Sequence, residues 1–189
     1  TYTRPATWRA LGYQEALPPT GHELPASLDI GQVKIEPFGI SHDAADPVGF
    51  TLYYRDFKCS VATDLGFVTA SVKRAVSLSD VLVLEANHDV DMLKNGSYPW
   101  FLKQRILSNR GHLSNSDAGW ILSRLARKNK TQVMLAHLSQ KNNRPELACD
   151  TVSNILREQG CQVGDEVSVR VTYPDRTASI VQQGGETIV

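Results

Sequence analysis

Apolar and polar positions change rhythm several times along the chain, and the changes predict alternating strands and helices. Residues 7–15 read as a short helix, and a loose loop with Pro18, Pro19, Gly21 and Pro25 follows. An extended stretch over 28–40 leads into strands at 50–54 and 57–63, with Arg55 and Asp56 as the tight turn between them. Residues 68–77 have helical spacing, VLVLEA at 81–86 is a short buried strand, and 99–108 is helical again. The clearest helix start is at Ser114, which caps a run in which Ala118, Ile121, Leu122 and Leu125 recur at helical spacing. Asp117 stands at its capping-box position. Next come the buried strand QVMLA, ending at His137, and a helix with Asn143 as cap, Pro145 in its first turn and Gly160 as terminator. Strands at 167–173 and 177–181, turned by Pro174 and Asp175, close the chain. Mixed α and β layers in one domain over residues 1–189 are the expectation.

Composition narrows the class. An apolar share of 41% in 189 residues can fill a core, and no run approaches the roughly 20 apolar residues of a membrane span. The first residues lack the layout of a secretory signal. Cys59, Cys149 and Cys161 are too far apart for a CxxC motif and odd in number, which points to a reducing cytoplasm. The formal net charge is zero, yet residues 92–145 hold ten Lys or Arg against one acid, Asp117. A positive field on part of the surface suits an anionic partner. Arg124, Arg127, Lys128 and Lys130 have a plainer reading, as complements to the C-terminal end of a helix dipole.

Three of the five histidines, His42, His112 and His137, stand at or just beyond the ends of predicted elements, where layered α/β proteins gather their sites. Pairing across the turn at Arg55 and Asp56 sets Asp64 opposite Pro47, so His42 in the SHDAAD loop should share a sheet end with Asp64. His137 follows its strand as directly as Asp64 follows its own, and neighbouring strands would bring the two tips together. A metal site and a set of ordinary structural donors both fit that spacing. His112 precedes the capped helix, whose free N–H groups at 114–116 form a natural phosphate seat. A histidine there can protonate a departing alkoxide, or only pack.

Together the segments FGISHDAADPVGF, SVATDLGFV, LEANHDVDML, SYPWFLKQRILSNRGHLSN and LAHLSQKNN resemble the metallo-β-lactamase superfamily. Within it they are similar to the YycJ (WalJ) group, a relative of the RNase Z-like phosphodiesterases. The resemblance spans essentially the whole chain and implies an αββα sandwich, incomplete at the N-terminus. It implies His42 as a terminal ligand of one metal, Asp64 as the carboxylate bridging two, and His137 as a terminal ligand of the second. His112 resembles a histidine thought to protonate the leaving group, with Ser114 and Asn115 holding the phosphate. Asn87 and His88 belong near the cleft or anchor a loop, and Tyr98, Trp100, Lys103 and Arg105 could face nucleic acid.

The implied activity is a DNA exonuclease on double-stranded DNA, using a hydroxide activated by two divalent cations, Zn or Mn, that this chain ligates only in part. Hydrolysis of RNA or a small phosphodiester on the same fold, and a metal-free nucleic-acid-binding module, are the rivals. The family's HxHxDH motif does not occur, and Thr1 falls just after its expected place. An upstream segment, removed or supplied separately, is therefore expected, with little hydrolysis by this chain alone.

Overall fold

The computed structural model describes residues 1–13, 16–128 and 130–179. Two elements near the start, β1 (Tyr2–Thr3) and β2 (His22–Glu23), pair in parallel, and α1 (Pro5–Ala10) lies between them in the chain. Trp8 of α1 is buried and donates its indole N–H to the His22 carbonyl at 3.0 Å, closing the intervening loop on itself. The expected helix over 7–15 thus starts earlier, at the Pro5 that suits a first helical position. Its last two positions lie outside the described residues.

Seven strands form the main sheet in sequence order: β3 (Leu28–Ile30), β4 (Val33–Gly39), β5 (Val48–Tyr54), β6 (Phe57–Ala62), β7 (Val81–Glu85), β8 (Thr131–Ala136) and β9 (Val167–Val171). The pairings from β3 to β6 are antiparallel, and those from β6 to β9 are parallel. The antiparallel half follows from its tight turns, with Gly31 and Arg55 at positive φ. The parallel half needs crossovers, which α2 (Ala70–Val76), α5 (Asn115–Ser123) and α6 (Pro145–Glu158) provide. Phe50 pairs with Val61, a register that carries Pro47 opposite Asp64 as the sequence predicted. The single extended stretch expected at 28–40 is two strands, because Gly31 turns the chain at φ 60°. The last expected strand is not formed at 177–179, and Ile180 and Val181 lie outside the described residues.

Strand alternation gives the sheet two different faces. One carries Ala62, Leu82, Leu84, Val133 and Leu135, which pack with Val72, Leu122, Val152 and Leu156 of the helices into the core. The other carries Phe50, Leu52, Val61 and Val83, all partly exposed. Helix α5 starts as the sequence predicts: the Ser114 side chain accepts from Asp117 N–H, and the Asp117 carboxylate reaches back to Ser114 N–H. Helix α6 differs at its start, where Arg144 rather than Asn143 is the N-cap residue. The Asn143 amide is committed elsewhere, exchanging hydrogen bonds with Asn115 and donating to the Ala86 carbonyl. Two short helices, α3 (Val90–Asn95) and α4 (Trp100–Ile106), bridge β7 to α5. Among the described residues no helix is long and apolar enough to cross a membrane.

Candidate metal and phosphodiester site

The C-terminal tips of β6, β7 and β8 lie side by side and place three acid or imidazole side chains at one end of the sheet. Asp64 follows β6, Glu85 ends β7, and His137 follows β8. Asp64 and His137 both hold left-handed backbone, at φ 58° and 57°. Non-glycine residues hold such conformations at a cost of about 1–2 kcal/mol, and they cluster where a side chain must be aimed. The aim is shared, because His137 Nε2 stands 3.6 Å from an Asp64 oxygen.

His42 and His112 reach the same place from loops. Their rings are 5.1 Å apart, and His112 is also 5.1 Å from His137, so the three imidazoles form an arc beside Asp64. Ligand atoms of His42, Asp64 and His112 lie mutually within 4.8 Å. Two glycines make the approach possible. A Cβ on Gly111 would collide with the carbonyls of Arg105 and Ile106, and one on Gly66 with the Ser108 carbonyl. The loop holding Ser108 to Gly111 therefore lies directly on Gly66, and Ser41 ties it further through the Asn109 carbonyl.

Glu85 organises the arc. Its side chain is fully buried, and one oxygen lies 2.7 Å from Nδ1 of both His112 and His137. The other oxygen accepts from the N–H of Leu65 and of Leu113. Burial pushes this carboxyl up, but the hydrogen bonds from His112 and His137 outweigh it and hold its pKa below the ordinary glutamate value. An ionised carboxylate only accepts, so Nδ1 of both histidines carries the proton. His42 is tied alike, with Nδ1 3.2 Å from the Gly111 carbonyl. Each of the three imidazoles is thus anchored through Nδ1; Nε2 of His137 faces Asp64 at 3.6 Å, and Nε2 of His42 faces Asp43 at 3.4 Å. This is the orientation that metal-binding histidines take from outer carboxylates and carbonyls. His137 has its pKa raised, first by the hydrogen bond to Glu85 and against the effect of burial.

The sequence predicted His42, Asp64, His112 and His137, and the structure brings all four together. Glu85 was missed, although the signal was present: an acid at the end of a buried apolar strand needs partners to be there at all. The other expected residues are distributed differently. Ser114 and Asn115 are buried, with side chains spent on the capping box and on Asn143, and the N–H of Asn115 donates to the His88 carbonyl. Neither lines the cleft. Lys103 is buried and donates to the Lys94 carbonyl, closing the end of α3 instead of facing outward. Asn87 lines the cleft and donates to the His137 carbonyl, so it anchors the loop that bears that histidine. His88 is 1% exposed, and its ring nitrogens have no partner among the described residues. Burial holds its pKa below the ordinary histidine value. Trp100 is on the surface, and Arg105 is both exposed and part of the cleft wall.

The cleft has a volume of about 410 Å³, and His112, His137, Tyr98, Leu102, Arg105 and Lys141 are among the residues that line it. A mixed sheet with helices packed on one face, and with histidines and an aspartate gathered at one end of it, is one half of the layered metallo-β-lactamase fold. The solved fold member YhfI from Bacillus subtilis superposes with a TM-score of 0.62 at 16% identity, over 90% of this chain and 61% of that one. The chain belongs to the YycJ and WalJ family. It is 36% identical over 183 residues to exodeoxyribonuclease YycJ of Bacillus anthracis, covering 95% of this chain and 69% of that protein. It is also 36% identical to exodeoxyribonuclease WalJ of Streptococcus pneumoniae, covering 96% and 70%. No family model matches the chain.

Proposed function

We propose that this chain carries much of the active site of a metal-dependent phosphodiesterase acting on DNA, as an exonuclease. The observation that carries the reading is the arc of His42, His112 and His137 beside Asp64, each imidazole anchored at Nδ1, with carboxylates facing Nε2 of His42 and His137. Neutral imidazole and carboxylate suit Zn or Mn, and the donor set therefore fits divalent cations. A pair of such cations, when bound, supplies an activated water and counter-charge for the phosphate. His42, Asp64 and His137 are the residues that would hold them, Asp64 being near both histidines. His112 then remains for proton transfer: Glu85 fixes its ring through Nδ1, and the ring lines the cleft. The family relatives, both named exodeoxyribonucleases, support DNA as the substrate.

The partly exposed apolar face with Phe50, Leu52, Val61 and Val83 supports a second β-layer against this sheet, as an αββα sandwich requires. The remaining donors would come from an HxHxDH segment of the kind that the resemblance implies. Side-by-side assays on duplex DNA, RNA 3′ ends and cyclic dinucleotides, with the chain joined to such a segment and with Zn or Mn added, test the reading. Loss of DNA 5′- or 3′-terminal nucleotides that stops with a chelator is expected. Turnover of only RNA or cyclic dinucleotides would replace the substrate, and full activity in His42→Ala and Asp64→Ala would remove the metal site.

A further inference from the structure

The cleft lining holds two cations, Arg105 and Lys141, and among the described residues it includes no carboxylate. Each cation is held by a partner of its own. Lys141 Nζ sits 5.7 Å from the centre of the Tyr98 ring. Arg105 makes a side-on fork with Asp43: Nε bonds one carboxylate oxygen at 2.5 Å and Nη2 the other at 3.1 Å. Asp43 is the residue after His42, and the oxygen that accepts from Nη2 also lies 3.4 Å from His42 Nε2, so the fork links Arg105 directly to the arc.

A guanidinium has five N–H donors, and the fork uses two. The three that remain are both on Nη1 and one on Nη2, and they define the end-on edge, which can chelate two oxygens of a phosphate. The pair is exposed and screened by solvent, and what its bidentate geometry chiefly adds is direction. A carboxylate beside an anion site weakens it by simple repulsion. What it gives in return is a fixed direction for an otherwise mobile side chain.

We propose that Arg105 and Lys141 form a subsite for a backbone phosphate neighbouring the scissile one, and that Asp43 is its positioning residue. The subsite rests on the DNA reading given above. It takes a nucleic-acid phosphodiester regardless of base, so it sets grip and register on the strand rather than sequence preference.

Anisotropy of end-labelled duplex DNA across a salt series, with zinc content measured in parallel, tests this. Arg105→Ala and Lys141→Ala should each weaken binding about tenfold and make the salt slope shallower by about 0.9, one phosphate contact. Arg105→Lys should recover little, because a point charge cannot fork. Asp43→Ala should also weaken binding, and adding it to Arg105→Ala should cost nothing more. Replacing the neighbouring linkage with a neutral methylphosphonate should weaken the unmodified chain and leave Arg105→Ala unchanged. Tighter binding by Asp43→Ala would overturn the inference, since that is what repulsion alone predicts. So would loss of zinc in Arg105→Ala, which would make the fork a tether for His42. A chain that binds no DNA would refute the DNA reading, whereas equal binding by all variants would refute only the subsite.

Discussion

Two parts of the cleft wall are built on opposite principles. At the strand tips one buried carboxylate, Glu85, satisfies two imidazoles and two backbone N–H groups, and nothing in that network is free to turn. Elsewhere in the cleft lining, Arg105 and Lys141 are tied by an exposed ion pair and a partly exposed ring contact, whose partners can exchange with solvent. The difference teaches where each property is stored. Low-dielectric surroundings make the Glu85 network costly to break and therefore good at holding geometry. The second part keeps its charge available for a ligand because little of the fold depends on it.

Removing the centre of the rigid wall should have the largest effect. Glu85→Ala leaves the Nδ1–H of His112 and His137 and the N–H of Leu65 without an acceptor. A loss of about 3–5 kcal/mol in urea unfolding is expected, with metal retention falling as well. Glu85→Gln, which keeps the shape and one acceptor, should recover part of the stability. Equal stability of all three chains would break the comparison.

Next in size is the loop contact. Gly111→Ala places a methyl group against the Arg105 and Ile106 carbonyls, and the loop must move away from Gly66 and His42. Stability should drop by about 2 kcal/mol, and the His42 ring resonances should shift. A smaller effect is expected at the start of α5, where Ser114→Ala removes the capping box and costs about 1 kcal/mol, read as a lower midpoint in urea.

The smallest effect separates His88 from the working histidines. Its folded pKa lies below its unfolded value, so the unfolded chain takes up the proton first. Stability from this residue is complete above about pH 6.5 and is lost as pH falls from there toward the folded pKa, by no more than about 1.4 kcal/mol per pH unit. His88→Leu should flatten urea midpoints measured between pH 7.5 and 5, and an unchanged slope would contradict the assignment.

Much of the rigid wall was legible in the sequence because local rules determine it. The turn at Arg55 and Asp56 sets the β5–β6 register, and that register puts Asp64 beside the His42 loop. The capping box at Ser114 locates His112, and the apolar strand QVMLA ends where His137 begins. What could not be read locally was who partners whom. Glu85 looked like the end of a strand, and only the parallel pairing of β7 with β8 and the return of the chain before α5 bring the histidines to it. Ser114 and Asn115 looked available for phosphate, but the chain supplies its own partners, Asp117 and Asn143, from three and 28 residues away. Lys103 looked like part of a basic surface until the end of α3 claimed its ammonium. Arg127 serves the fold as the helix-dipole reading expected, on the Leu122 carbonyl, whereas Lys128 pairs with Asp80, just before β7, instead of with a helix end.

Nitrogen-15 NMR of the imidazole rings during a zinc titration tests the central arrangement most directly. The account predicts Nδ1–H tautomers at His112 and His137 before metal is added, and zinc-dependent shifts at Nε2 of His42 and His137 that vanish in Asp64→Ala. Protons on Nε2 in the free chain, or zinc shifts confined to His22 and His88, would contradict it.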